Sequence, residues 1–364
     1  MSRVYIIAEA GVNHNGCFDT AIELIRVAAS AGADAVKFQT FRAASLAAKE
    51  APKVKYQIET TSKDESQYEM LERLELPEAW HAPLIEECNL LGIEFMTTAF
   101  DFPSLAMISK FPVHRLKIPS GELVNGPLLW EFSRVGKPLI LSTGMATLSE
   151  VELALAIINH GKHHNKCPSG IEEVWNFWVE SGCGRSLPLD VSLLHCTSQY
   201  PAPESQLNIR AIKSLEQAFG LPVGYSDHSQ GEAASIAAVA MGASIIEKHF
   251  TLNQNMEGPD HRASIEPQTL QALISKIRFV EKALGDGYKR PQKCEEEIRD
   301  LARQKMFVAQ KISKGDIIEA RHLSSKRSSG GMSVIHYWDV LGAEALEDLE
   351  PDTLYTDVRF SKKK

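Results

Sequence analysis

Two histidines stand at the ends of two short apolar runs: His228 in GYSDHS (224–229) and His249 in IIEKHF (245–250). Between them lies an alanine-rich, helix-like segment from Gly231 to Met241. Residues so far apart cannot share a helix face, but they meet at the ends of adjacent parallel strands. Imidazoles placed side by side there are ligands for a divalent cation, so the spacing predicts a two-histidine metal site at the mouth of a barrel.

Other chemistry-bearing residues recur in the same place, at the C-terminal end of a short apolar run. They are Glu9, Lys37, Gln39, Thr98, Lys117, Ser120, Glu122, Ser142, Ser198, Tyr200, Ser226 and Glu247. If those ends converge, two lysines and several hydroxyls form a phosphate-binding set, with point charge from lysine and directed donors from hydroxyls. Two histidines with carboxylates form a mixed nitrogen and oxygen set, suited to Mn, Fe, Co or Zn rather than Ca. Lys37 and Lys117 interrupt apolar strands, where an unpaired charge is costly, which favours binding over a surface ion pair. His195, inside the sixth run, reads as a core histidine or as support for the site. His14, in VNHNG, reads as loop-exposed, touching a ligand or capping the loop; His163 and His164 read as surface.

The elements that must position these residues repeat as run, polar end, loop and helix. The runs are Val4–Ala8, Ala35–Lys37, Ile93–Met96, Arg115–Ile118, Pro138–Leu141, Val191–Leu194, Pro222–Tyr225 and Ser244–Ile246. Helical patterns lie between them, the first over Thr20–Ala31 and the last over Pro267–Leu284. Near-continuous apolar runs suit parallel strands buried on both faces. Eight such units in roughly 285 residues, with polar C-terminal ends, predict an α/β fold, a (β/α)8 TIM barrel over 1–285. A doubly wound sheet competes less well, because no GxGxxG turn follows the first strand. An insertion at 160–189 carries His160, Cys167 and Cys183, and reads as packing rather than as a zinc site because its spacing matches no standard ligand pattern. Residues 286–305 read as a linker, and 306–358 as a small β-rich second domain.

The 364 residues carry a net charge of −8, and the short Lys362–Lys364 tail does not offset it. That balance argues against a nucleic-acid binder. No apolar stretch reaches the ~20 residues needed to span a bilayer, and MSRVYIIAEAG is too short for a secretory signal. Six scattered cysteines without CxxC spacing suggest reduced, mostly structural thiols in a cytoplasmic protein.

Taken together, IAEAGVNHNG, VKFQTF, LKIPSGE, LSTGM, HCTSQYPAP, GYSDHS, IEKHFT and GPDH resemble the sialic acid synthase family. The resemblance runs from the first strand to about Asp260, and the tail is similar to that family's antifreeze-like (SAF, β-clip) domain. It implies a phosphoenolpyruvate-dependent condensing transferase that joins the enol phosphate to an N-acyl hexosamine. N-acetylmannosamine, giving N-acetylneuraminate, is the first expectation. A 2,4-diacetamido-2,4,6-trideoxymannose, giving N,N'-diacetyllegionaminate, is the second; pseudaminate and 9-phosphate products rank lower. A non-catalytic carbohydrate-binding barrel would have lost some charged strand ends, and none is lost.

The same resemblance implies the roles. His228 and His249 would hold a divalent metal, usually Mn2+ with Mg2+ or Co2+ as alternatives; Lys37, Thr98, Lys117, Ser120, Ser142, Ser198 and Ser226 would hold phosphoenolpyruvate. Glu9 would face the attacked carbon and water, with Glu247 beside the histidines. Gln39, Glu122, Tyr200 and Asp260 would position the sugar, helped by Arg327 from the partner subunit of a domain-swapped homodimer. The family's proline after that arginine is replaced by Ser328, and Ser198 stands where sialic-acid-making bacterial members often have Asn.

Overall fold

The computed structural model describes residues 3–53, 55–61, 65–184, 189–357 and 359–361. Residues 185–188 of the insertion, the first two residues of the N-terminal segment, Val358 and the Lys362–Lys364 tail lie outside the described residues. The chain divides into two units, Met1–Asp286 and Gly287–Lys364.

In the first unit eight parallel strands close into a barrel in sequence order. They are β1 (Tyr5–Gly11), β2 (Ala35–Thr40), β3 (Glu94–Ala99), β4 (Leu116–Ile118), β5 (Leu139–Ser142), β6 (Val191–Cys196), β7 (Val223–Asp227) and β8 (Ile245–His249). Alternation along the strands sorts residues between the lumen and the helical layer, because i and i+2 share a face. Ile7, Ala35, Met96, Ile140, Leu194 and Ile245 form a buried apolar layer of their own inside the barrel. Two positions further along the same strands stand Glu9, Lys37, Thr98, Ser142, Cys196 and Glu247. One apolar plug therefore supports a polar floor directly above it.

Two segments add helices that the strand pattern did not foresee. Between β2 and helix Glu78–Leu91 lie three short helices, Ala43–Leu46, Lys55–Thr60 and Gln67–Leu74. The last starts on a capping box in which Ser66 and Glu69 satisfy each other's backbone N–H groups, a signal present in the sequence as SQYE. The 160–189 insertion forms helix Ile171–Glu180, which buries Val174 and Trp178.

The second unit has its own core, including Met306, Ile312, Val340, Leu349 and Tyr355. Its strands β9 (Gln304–Val308) and β10 (Leu323–Arg327) pair antiparallel, and isolated bridges such as Ile312 to Leu349 extend the pairing. The segment read as a linker is not plain coil: it holds helix Glu296–Ala302, with acidic residues in its first turn, and the start of β9.

Candidate active site

The C-terminal ends of the barrel strands enclose a cavity of about 290 Å³. It is lined by Glu9, Lys37, Gln39, Thr98, Lys117, Ser120, Ser142, Ser198, Tyr200, Ser226, His228, Glu247, His249 and Asp260. These are all the site residues expected from the sequence except Glu122 and Arg327. Glu122 lies outside the lining, where its carboxylate accepts from Asn125 Nδ2 at 2.7 Å, one turn along the same loop. Arg327 belongs to the second unit, exposed at the end of β10.

The floor is a buried charge cluster. Lys37 Nζ lies 2.8 Å from Glu9 Oε2 and 3.5 Å from Glu247 Oε2, and donates to Thr98 Oγ1 at 2.9 Å. Lys117 Nζ sits 3.5 Å from Glu247 Oε1, which also accepts from Ser226 Oγ at 2.7 Å. Burial raises the Glu247 carboxyl, but Lys117 and Lys37 together outweigh it and hold that carboxyl far below its usual range. For Glu9 burial dominates attraction to Lys37, and repulsion from Glu247 adds to it, so its carboxyl is pushed up. Burial pulls the Lys37 ammonium down, yet Glu247 and Glu9 more than restore it; Lys117, with less compensation, stays below the ordinary lysine value. The floor thus sets two lysines and several hydroxyl donors against two carboxylates. That floor suits a small multiply charged anion.

Beside the lysines is a cradle with no side chain in its middle. Ser120 Oγ accepts from Gly144 N–H at 3.0 Å and lies 3.2 Å from Cys196 Sγ. A Cβ on Gly144 would press on Ser198 Oγ and stand 2.8 Å from both Cys196 Sγ and Ser120 Oγ. Gly11 is required on the opposite side: its φ is +54°, and a Cβ would lie 3.3 Å from Gln39 Nε2. The open glycine edge lets Gln39 Nε2 donate to Glu9 Oε1 at 3.2 Å.

The histidines meet as expected, with ring centroids 5.5 Å apart and the Tyr200 ring 4.2 Å from that of His228. A carbonyl can only accept, so the 2.7 Å contact of His228 Nδ1 with Thr197 O places the proton on Nδ1. Ser226 commits its hydrogen to Glu247, so the His228 Nε2 lone pair receives no donor from Ser226 at 3.3 Å. Buried His249 Nδ1 has no hydrogen-bond partner, and Asp260 Oδ2 lies 3.8 Å away. Burial lowers His228 to about 4 and, with repulsion from His228, takes His249 well below the usual histidine range. Burial also raises Asp260 to about 6 against the pull of Lys37. Two neutral imidazoles with free lone pairs fit a borderline divalent cation. Among the described residues no group of three or more His, Cys, Asp or Glu side chains forms a metal cage.

A profile of the NeuB family matches residues 24–289. The chain belongs to the NeuB family. It is 42% identical to the N,N'-diacetyllegionaminic acid synthase of Campylobacter jejuni, over 97% of this chain and 99% of that one. The enzyme of the same name from Legionella pneumophila is also 42% identical, over 96% of this chain and 92% of that one. Among solved structures, the N-acetylneuraminic acid synthetase of Leptospira borgpetersenii in complex with citrate aligns with a TM-score of 0.66 and 33% identity. That alignment covers 82% of this chain and 90% of the other.

Several residues of this NeuB-family barrel escaped the sequence reading. Asp227 and Lys248 are register partners on β7 and β8 that face away from the lumen. Lys248 Nζ lies 3.1 Å from Asp227 Oδ2 and donates to Ser229 O at 2.6 Å; Asp227 also accepts from the Ser229 and Ser235 hydroxyls, both at 2.6 Å. The pair ties the loop that carries His228 to the strand that carries His249. Strand alternation was the available signal: with Ser226 and Glu247 inside, their neighbours must point out.

His14 corrects the expectation of an exposed loop residue. It is fully buried among Phe38 and Trp80, with its ring held near 4 by burial. Its neighbours in the motif act as clamps: Asn13 Nδ2 donates to Phe250 O and Ser264 Oγ, and Asn15 Nδ2 to Glu257 O, anchoring the loop that delivers Asp260. His195 donates from Nε2 to Leu207 O at 2.8 Å and serves packing. In the insertion His160 accepts from Trp130 Nε1 and stacks on His164 at 4.1 Å, an aromatic packing cluster. The cysteines are all free; Cys88 and Cys196 are buried and the other four exposed. Among the described residues no helix is long and apolar enough to cross a membrane.

Proposed function

We propose that this chain is a phosphoenolpyruvate-dependent nonulosonate synthase, acting on the open-chain aldehyde of an N-acyl aminosugar. The observation that carries the reading is the cavity's division of labour. A floor of Lys37, Lys117 and hydroxyls lies beside two neutral imidazoles with unused lone pairs. The floor holds the enol phosphate and its carboxylate. His228 and His249 would hold a divalent cation, most simply Mn2+, which when bound supplies Lewis-acid stabilisation of the developing alkoxide.

In this reading the enol carbon forms a bond to the sugar aldehyde carbon, and the aldehyde oxygen takes up a proton. Water then adds to the carbon that carries the phosphate ester, and phosphate departs with that C–O bond broken. Glu9, its carboxyl raised by burial in the floor and held by Gln39, is placed to take the proton that the adding water gives up. Tyr200 and Asp260 orient the sugar. The names of the two 42% identical relatives favour a 2,4-diacetamido-2,4,6-trideoxymannose over N-acetylmannosamine as the acceptor. We also retain as proposals a cytoplasmic location, an antifreeze-like identity for the second unit, and a homodimer whose partner supplies Arg327 to the sugar's acyl group.

The test is phosphate release by the purified full chain with Mn2+. Release requiring both phosphoenolpyruvate and an aminosugar supports the reading. Release without any sugar, or none with either aminosugar, removes it.

A further inference from the structure

Cys196 is the floor residue to which the proposed reaction gives no part. It ends β6, two positions beyond Leu194 of the apolar plug, and it lines the cavity. The other floor residues, Glu9, Lys37, Thr98, Ser142 and Glu247, carry a charge or a hydroxyl. The Cys196 sulfur lies 3.2 Å from Ser120 Oγ, the same hydroxyl that accepts from Gly144 N–H at 3.0 Å. These three groups pack without slack, since a Cβ on Gly144 would stand 2.8 Å from both the sulfur and Ser120 Oγ.

Counting hydrogens decides what this arrangement can do. A serine hydroxyl has two lone pairs and one hydrogen. Gly144 N–H occupies one lone pair of Ser120. Were Ser120 to give its hydrogen to sulfur, a weak acceptor, none would remain for a bound anion. Burial pushes the Cys196 thiol up, and Ser120 and Lys117 only partly offset it, so the sulfur keeps its hydrogen. With that S–H on the second lone pair of Ser120, the hydroxyl hydrogen points away from both neighbours. Ser120 is only half-buried and lines the cavity, so its hydrogen then faces the place of the enol phosphate. A bond to an anionic oxygen is roughly twice as strong as a neutral one, so a bound anion favours this arrangement.

We infer that Cys196 is a positioning residue for the enol phosphate, its S–H donating to Ser120 Oγ and so turning the Ser120 hydroxyl hydrogen into the cavity. The inference goes beyond the proposed synthase reading and rests on its assignment of Ser120 to phosphoenolpyruvate. Cys196 acts through Ser120, so its removal should matter only while Ser120 is present.

The experiment measures phosphate release by the full chain with Mn2+ and 2,4-diacetamido-2,4,6-trideoxymannose, and extracts KM for each substrate. The variants are Cys196→Ala, Cys196→Ser, Ser120→Ala and the Ser120→Ala, Cys196→Ala pair, each checked for fold by thermal melting. Ser120→Ala loses a hydrogen bond to a charged group, so KM for phosphoenolpyruvate should rise about tenfold or more. Cys196→Ala removes a single atom and should raise it about fivefold, with KM for the sugar within about twofold of wild type. Cys196→Ser keeps a hydrogen to give and should stay within about twofold of wild type for both substrates. Adding Cys196→Ala to Ser120→Ala should cost less than about twofold more, because the two residues act as one unit. An unchanged KM for phosphoenolpyruvate in folded Cys196→Ala would overturn the inference. Additive losses in the double variant, or a serine variant as impaired as the alanine one, would do the same and leave Cys196 a packing residue. Should the wild type itself release phosphate with no sugar, or none with it, the synthase reading falls and this inference with it, a result distinct from those.

Discussion

Adjacent residues on β7 and β8 show opposite kinds of polar burial. Inside the barrel, Ser226, His228, Glu247 and His249 are buried, yet His249 Nδ1 lacks a hydrogen-bond partner and His228 Nε2 keeps a free lone pair. One residue over, Asp227, Ser229, Ser235 and Lys248 are equally buried, and each of their side chains is bonded within the cluster. A buried imidazole nitrogen without a partner costs free energy, and two such nitrogens beside one cavity suit a ligand there. A closed network points to scaffolding. The difference separates the groups proposed to do chemistry from the groups that hold them.

The largest effect should come from the inner set. His228→Ala or His249→Ala should lower kcat/KM by about 10²–10³-fold or more, with thermal melts close to wild type. Unchanged activity in the absence of any divalent cation would break the inner half of the comparison. The outer set should respond in the opposite sense. Asp227→Asn, which strands the buried Lys248 ammonium, should cost about 3–5 kcal/mol in urea unfolding, whereas Asp227→Leu with Lys248→Met should recover most of it. Equal losses in the single and double variants would mean that the pair is not the source of the stability. That double variant, once folded, should still bind Mn2+ about tenfold more weakly in titrations followed by electron paramagnetic resonance, because the His228 loop loses its tie.

Gly144→Ala probes the cradle between these halves. A methyl forced among Ser198, Cys196 and Ser120 costs about 1–3 kcal/mol, so KM for phosphoenolpyruvate should rise about tenfold while the KM for sugar changes less. The smallest effect concerns His14. Its ring is held near 4, below the ordinary 6.5, so the folded chain binds fewer protons than the unfolded one in that window. The stability that depends on a neutral His14 is present above pH 6.5 and is lost as the pH falls towards 4. Between pH 6.5 and about 5.5 wild type should lose on the order of 1 kcal/mol more than His14→Gln, read from urea midpoints.

Much of this was legible because strand alternation carries information twice. Short apolar runs gave the barrel, and a polar residue ending each run marked the floor; Ile7 and Glu9, Ala35 and Lys37, or Ile245 and Glu247 are the same face read two residues apart. The Asp227–Lys248 pair followed from the same alternation but was masked by the histidine beside each member. His14 was misread because its Asn and Gly neighbours look like an exposed loop, while Phe38 and Trp80, which cover it, are distant in sequence. The apolar part of the cavity lining, Leu71 and Phe100 among it, was invisible for a related reason. Helix Gln67–Leu74 is short and mostly polar, and only the closed barrel brings Leu71 opposite Phe100. Arg327 stayed a matter of resemblance, since its proposed role lies in a second copy of the chain.

The most direct measurement supplies the full chain with Mn2+, 2,4-diacetamido-2,4,6-trideoxymannose and phosphoenolpyruvate labelled with ¹⁸O at the ester bridge, and reads the products by mass spectrometry. The expected result is a nonulosonic acid carrying all the carbons of both substrates, with the label in the released phosphate. Unlabelled phosphate, or pyruvate formed without a joined product, would contradict it.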